Sequence, residues 1–152
     1  MIDATKQPSI PKGWSIEEHK KDGKIDPTEI ELYLDEGQKD GKYITGTDLR
    51  QKLKGQPVLN ACVLDYLLKH PDLIPDDWKG KYVFFWGTIY RSSGVLYVRC
   101  LSWGGVWWGE DYGWLGAVWR SVDPAAVRAS KLSLGSLPDI LTINGIKYKQ
   151  IK

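Results

Sequence analysis

Two dense runs of β-forming residues lie on either side of a short turn in the stretch YVFFWGTIYRSSGVLYVRCL, residues 82–101. The runs, residues 82–91 and 95–101, are rich in the aromatic and β-branched side chains that favour strands. Gly87 interrupts the first run, and Ser92-Ser93-Gly94 supplies the turn. The pattern predicts an antiparallel hairpin at the centre of a small twisted sheet.

Further elements are predicted before this hairpin. Thr47 and Asn60 each stand where an N-cap residue precedes apolar residues at helical spacing, which predicts helices over 47–55 and 60–70. The alternation of apolar and polar residues over 30–34 predicts a strand. One or two helices packed on an antiparallel sheet define an α+β domain.

The chain divides into three parts on these signals. Residues 1–13 hold two prolines, a glycine and little apolar material, so we expect a flexible arm. Residues 14–137 are the right length for a single domain. Residues 138–152 contain Asn144-Gly145 between alternating apolar residues, which predicts a C-terminal hairpin as an appendage.

Bulk composition excludes several classes of protein. The 152 residues carry a net charge of +2, too small an excess to predict a nucleic acid or an anionic membrane as partner. Two cysteines do not make a disulfide framework. No stretch approaches the roughly 20 apolar residues that span a bilayer, and no apolar leader is visible. We therefore expect a cytoplasmic protein by default, with surface display as the alternative.

The most unusual segment is rich in tryptophan and glycine. Five of the eight tryptophans fall within residues 103–119, with five glycines between them. Neither helical nor strand periodicity is evident, so residues 102–123 are predicted to be mostly irregular and held by the tryptophans. The rings serve either as a core that replaces secondary structure or as exposed platforms that stack on a ligand. We expect a mixture of the two.

Catalytic and metal-binding signals are weak. His19 lies in a charged segment, and His70 closes a predicted helix, where a cation is favoured by the helix dipole. No zinc spacing, nucleophile elbow or phosphate-binding loop is present. Glu110-Asp111 and Asp123 resemble a solvated acidic edge more than a cation site. The sequence predicts neither an enzyme nor a metal or other cofactor.

The segment nevertheless resembles a known family, the variable proteins of diversity-generating retroelements, in the group from archaea and other uncultivated microbes. The resemblance covers about residues 80–130 and more loosely the helix before them. It lies in a pattern of fixed positions rather than in a catalytic signature. The positions that carry it are Phe85-Trp86-Gly87-Thr88-Ile89-Tyr90-Arg91, Tyr97-Val98-Arg99, Leu101, Trp103, Trp108, Tyr112, Trp114-Leu115, Trp119 and Pro124-Ala125-Ala126-Val127.

This resemblance implies a C-type lectin-like fold with a variable region of about residues 98–123. In such systems a reverse transcriptase copies a template repeat with errors at adenines, and the copy replaces part of the target gene. The only Trp codon, TGG, contains no adenine, and codons such as AAC and AAT never become TGG. The resemblance therefore implies that tryptophans form a fixed scaffold, namely Trp103, Trp108, Trp114 and Trp119.

The residues between the tryptophans are then expected to vary and to bind the ligand. We call them the variable set: Cys100, Ser102, Gly104, Gly109, Asp111, Gly113, Gly116, Ala117, Val118, Arg120, Ser121 and Val122. The expected ligand is a protein or a cell-surface molecule. Nucleic acid is disfavoured, because residues 100–123 carry more acidic than basic side chains.

Two other hypotheses remain at this point. The first is a module of fixed specificity that binds carbohydrate or protein on Trp platforms. The second is an oxidative enzyme of a related fold, although the chain lacks the cysteine pair of the formylglycine-generating enzymes. The Glu-Pro-Asn and Trp-Asn-Asp motifs of calcium-dependent lectins are also missing, so calcium-dependent sugar binding is not expected.

Overall fold

The computed structural model describes residues 1–129 and contains two helices within them, α1 (Gly46–Lys52) and α2 (Ala61–Lys69). Helix α2 begins at the predicted cap Asn60, whereas α1 begins two residues before the predicted position, with Thr45 rather than Thr47 as its cap. The Thr45 hydroxyl accepts a hydrogen bond from the Asp48 amide at the start of α1. The Asn60 side chain accepts one from the Cys62 amide at the start of α2. These caps satisfy backbone donors that have no partner within the helix.

The other regular elements of the described residues are strands and single helical turns. Single 3-10 turns occur at Pro27–Glu29, Glu36–Gln38, Pro71–Leu73 and Asp76–Trp78. The strands are β1 (Ile2–Asp3), β2 (Ser15–His19), β3 (Lys24–Ile25), β4 (Ile30–Tyr33), β5 (Ile44–Thr45), β6 (Val83–Phe84), β7 (Thr88–Ser92), β8 (Val95–Trp103), β9 (Trp108–Trp114), β10 (Val118–Trp119) and β11 (Ala125–Arg128).

The long strand β8 organises the main sheet. It pairs antiparallel with β9 along one edge and with β6 and β7, which follow one another along the chain, on the other edge. Beyond these, β2 pairs with β7, and β11 pairs with β6 in parallel and with β4 in antiparallel orientation. The predicted strand 30–34 and the hairpin of residues 82–101 are confirmed as β4 and as β6, β7 and β8.

Two apolar clusters form the core. One contains the apolar stripe of α2, with Val83, Phe85 and Leu101 of the sheet region. The other contains Leu49 of α1 with Val98, Trp119 and neighbouring apolar residues. The α+β class predicted from the sequence is confirmed, with two helices and a sheet that is mostly antiparallel.

The prediction of a flexible arm over residues 1–13 is wrong. Strand β1 pairs with β3, which places Ile2 opposite Ile25, and both side chains are buried. Ala4 is also buried, and the carbonyl of Ser9 accepts a hydrogen bond from the Tyr90 hydroxyl. The arm is fixed by residues far along the chain, which local composition does not reveal.

The prediction that residues 102–123 are mostly irregular is also wrong over its first half. Strands β8 and β9 pair without interruption from Tyr97 opposite Trp114 to Trp103 opposite Trp108. Gly105, at a φ of 94°, lies in the connection, a backbone conformation that favours glycine. Residues 115–124 contain only the short strand β10. The predicted hairpin of residues 138–152 lies outside the described residues.

Asn60 offers a test of how the N-terminal segment is held. Its buried side-chain amide donates to the carbonyls of Ala4 and Lys20, at 3.0 and 2.9 Å, besides capping α2. We expect Asn60→Ala to lower the free energy of unfolding by about 2–4 kcal/mol, because it leaves buried backbone groups unpaired. Urea denaturation measures this. The control is Lys52→Ala on the exposed side of α1, which should change the free energy of unfolding by less than about 0.5 kcal/mol. An equal loss of stability in both variants would contradict the role assigned to the Asn60 hydrogen bonds.

Candidate ligand-binding surface

The hairpin of β8 and β9 presents two different faces. Side chains alternate along each strand, and residues paired across the ladder project to the same side. One side, here called the aromatic face, carries Tyr97, Arg99, Leu101 and Trp103 with their partners Trp114, Tyr112, Glu110 and Trp108. The other side, here called the small-residue face, carries Val98, Cys100 and Ser102 with their partners Gly113, Asp111 and Gly109.

Trp119 packs beneath the small-residue face. Its ring centroid lies 4.2 Å from that of Phe84 and 5.0 Å from that of Trp86, and the side chain is 2% exposed. Its indole nitrogen is 3.3 Å from the carbonyl oxygen of Trp114, to which it donates. Trp119 therefore joins the core and the loop after β9, the position expected of a scaffold residue.

The other scaffold tryptophans are less buried. Trp103 and Trp108 are half-buried and form a cross-strand pair with ring centroids 5.4 Å apart. Trp114, which is also predicted as scaffold, is 52% exposed. Its ring covers the backbone of Gly116 instead of entering the core. Trp107, in the connection between β8 and β9, is 72% exposed.

Most of the variable set reaches solvent. Gly104, Asp111, Gly116, Val118, Arg120, Ser121 and Val122 are exposed, and Ser102, Gly109, Gly113 and Ala117 are half-buried. Eleven of the twelve positions of the variable set are therefore at least partly accessible to solvent.

Three positions of the variable set are constrained by packing. Cys100 is 1% exposed and belongs to the core, so the expectation that it faces a ligand is wrong. A Cβ atom at Gly113 would lie 2.8 Å from the Trp119 ring. A Cβ atom at Gly116 would overlap the Trp114 ring. At each of the two glycines, a larger side chain requires a tryptophan to move.

Asp111 and the turn at residues 120–123 both adjoin Tyr82. The Tyr82 backbone is hydrogen-bonded to Val122 of the turn, and Tyr82 lines a cleft together with Ser102 and Asp111. The turn and the small-residue face therefore lie next to each other. We name the resulting patch the candidate surface, and it consists of Ser102, Gly109, Asp111, Arg120, Ser121 and Val122.

Two tyrosines outside the variable set border the candidate surface. The Tyr82 amide donates to the carbonyl of Val122 at 2.7 Å, and Tyr82 lines a cleft of about 270 Å³ with Ser102 and Asp111. The guanidinium of Arg120 lies 5.2 Å from the centroid of the Tyr43 ring, a cation–π distance. The candidate surface thus combines small and polar residues with aromatic borders.

Gln38 fixes the turn that carries Arg120, Ser121 and Val122. Its buried amide donates to the carbonyls of Arg120 and Asp123, at 3.0 and 2.9 Å. The Asp123 carboxylate accepts from the Arg120 amide at 2.9 Å. Gln38 is not among the residues predicted from the sequence, although Asp35 three residues earlier gives the spacing of a capping box, which the structure contains.

Arg99 anchors the opposite, aromatic face, and it too was missed. The side chain is 2% exposed, and its guanidinium donates to Asp65 of α2 at 2.9 Å and to Glu110 of β9 at 3.0 Å. It also donates to the Tyr90 hydroxyl at 3.1 Å and to the Ser9 carbonyl at 3.3 Å. One buried cation therefore ties the hairpin to α2, β7 and the N-terminal segment.

Aromatic rings cover the same face beside Arg99. Trp14 stacks on Tyr97 with centroids 4.9 Å apart and an interplanar angle of 21°. It meets Tyr112 edge-on at 5.0 Å, and Tyr112 remains 55% exposed. Trp14 lies far from the Trp-rich segment in sequence, so periodicity alone gives no signal for this contact.

Comparisons of the chain with protein-family models, with curated proteins and with solved structures find no match. Among residues 1–129, no group of three or more His, Cys, Asp and Glu side chains is placed to hold a metal ion. Over the same residues, none of the helices is both long and apolar enough to cross a membrane. The class that the geometry defines is an α+β domain with a partly polar, solvent-accessible surface on its sheet.

Two glycines of β9 test the packing of the small-residue face. Gly113→Ala places a methyl group against the rings of Trp119 and Phe84, whereas Gly109→Ala meets no atom within 4 Å. We expect Gly113→Ala to lower the free energy of unfolding by about 1–3 kcal/mol through overpacking, and Gly109→Ala to leave it nearly unchanged. Thermal or urea denaturation of both variants measures the difference. If both variants are equally stable, the close contact at Gly113 is not a constraint.

Proposed function

We propose that this chain is a non-enzymatic ligand-binding domain of C-type lectin-like fold, whose candidate surface is diversified by a retroelement. The observation that carries the proposal is the separation of two sets of residues within one short segment. Trp119 packs in the core, while Asp111, Arg120 and Val122, a few positions away, face solvent. A display protein needs this combination of a fixed frame and replaceable neighbours.

The codon chemistry implied by the resemblance is compatible with this separation. The template mechanism implied by the resemblance spares TGG codons and changes codons that contain adenine. Trp119, which is buried and touches the glycine backbone of β9, is a position where substitution would be costly. The protected codon therefore coincides with the structurally constrained side chain at this position.

The charge of the segment bears on the class of ligand. Glu110 and Asp111 are exposed on β9, and Arg120 is the exposed cation of the 120–123 turn. Such a surface does not favour a phosphate backbone. Small polar residues bordered by tyrosines are typical of protein-binding surfaces, so we propose a protein or a cell-surface molecule as the ligand.

The two cysteines support a binding role rather than thiol chemistry. Burial raises the pKa of Cys62 to about 11, and it raises the pKa of Cys100 well above its usual range. At neutral pH both thiols stay protonated, and the protonated thiol is a poor nucleophile. The oxidative-enzyme hypothesis is disfavoured for this reason.

The aromatic face favours a second candidate, a carbohydrate-binding module of fixed specificity. Tyr112 and Trp114 are both about half exposed on neighbouring positions of this face, and Trp14 supports Tyr112. Exposed rings of this kind provide large contact areas at little rotamer cost. In this alternative the ligand rests on the rings, and the candidate surface has no function in binding.

The DNA around the gene separates the two candidates. We expect a reverse transcriptase gene nearby and a repeat that matches the codons of residues 98–123 except at adenines of the template. An intact locus with neither feature would overturn diversification and favour the fixed-specificity module. Copies of the gene from one population should then show no excess of changes on the candidate surface.

A pair of libraries tests the physical requirement for diversification. The first randomises Ser102, Asp111, Arg120 and Val122, and the second randomises the packed positions Val98, Gly113, Leu115 and Trp119. We expect most members of the first library to resist proteolysis and to melt within about 5 °C of the parent, since exposed substitutions change stability little. Most members of the second should fail. Equal failure in both libraries would mean that the candidate surface is itself part of the fold.

A further inference from the structure

A cleft of about 250 Å³ lies between the end of α1 and the start of β7. It shares no lining residue with the candidate surface. Its base is formed by the buried side chains of Leu53, Val58, Trp86 and Ile89. A cleft of this size with an apolar base is suited to a small organic molecule.

The rim of the cleft is cationic. Lys20, Arg50 and Lys54 line it, with Glu18 as the acidic neighbour. Glu18 is engaged by Arg50, with nitrogen and oxygen 2.8 Å apart. Lys20 is held at the rim by a 3.4 Å hydrogen bond from its ammonium group to the Gln56 carbonyl. The two lysines therefore leave a net positive charge above an apolar base.

Trp86 places an indole ring in the base of the cleft, where its signal can report binding. Within residues 1–129 its indole nitrogen Nε1 is buried and has no hydrogen-bond partner. Because this nitrogen is closed off from solvent, it reports on the cleft and is not a contact for the ligand. The residue that carries this donor is 5% exposed and belongs to the base of the cationic cleft.

We propose that this cleft binds a small organic carboxylate, with its apolar part on Leu53 and Ile89 and its charged group between Lys20 and Lys54. A carboxylate provides the negative charge that the two ammonium groups attract, and an apolar part of the molecule matches the apolar base. A neutral apolar molecule would use only the base, and inorganic phosphate would use only the rim.

The test is a ¹H–¹⁵N correlation spectrum of the full chain titrated with 4-phenylbutyrate. The indole signal of Trp86 is identified by its loss in Trp86→Phe. We expect saturable shifts of this indole signal and of the Gly55 and Gly87 amides, which also line the cleft. Lys20→Gln combined with Lys54→Gln should weaken binding at least tenfold. Lys52→Gln, an exposed lysine of α1 outside the cleft, is the matched control and should bind like the parent.

Four results would overturn the proposal. One is the absence of saturable shifts up to 10 mM 4-phenylbutyrate. A dissociation constant above about 10 mM would be too weak for specific binding. A second is equal binding of the neutral 4-phenylbutanamide, which would remove the role of charge. A third is an equal response to inorganic phosphate, which would remove the role of the apolar base. The fourth is equal weakening in the Lys52→Gln control. None of these results bears on diversification of the candidate surface.

Discussion

The close packing of Trp119 against glycine backbone is the constraint on which the candidate surface depends. Its ring contacts β9 at Gly113 and lies against the start of α1 at Gly46, where a Cβ atom would be 2.7 Å from the indole nitrogen. At either glycine, a side chain requires the ring or the backbone to move. By filling this space, one ring holds the hairpin, the first helix and the loop after β9 in a single arrangement, because packed interiors do not deform continuously.

Arg99 fixes the opposite face of the hairpin, through ion pairs and hydrogen bonds rather than through close packing. A buried guanidinium is costly to desolvate, and it is tolerated because Asp65, Glu110 and the Tyr90 hydroxyl pair with it. A hairpin held on one face by a ring and on the other by an ion network has little freedom to shift. Side chains at its exposed positions can then be exchanged without changing the backbone that presents them.

Local signals explain what the sequence predicts well and what it does not. The cap at Asn60 and the turn at Ser93-Gly94 act over a few residues, so α2 and the start of β8 follow from the sequence. The sequence also predicts a helix near α1, but its cap is Thr45 and not the predicted Thr47. Strand β9 was missed because its alternation is of large against small side chains rather than apolar against polar. The pairing of Ile2 with Ile25 and the contact of Trp14 with Tyr97 are long-range, and no local pattern encodes them.

The division between frame and surface sets how much variation the domain can accept. Domains of this size are stable by about 5–15 kcal/mol, and an exposed substitution typically changes this by no more than about 0.5 kcal/mol. Several simultaneous changes at positions such as Asp111 and Arg120 therefore fit within the stability of the fold. A larger residue at Cys100 or Gly113 costs about 1–3 kcal/mol by overpacking, so the two changes together take up much of a marginal domain's stability. Diversification that includes these two positions must favour small residues there, while the exposed positions can sample side chains of any size.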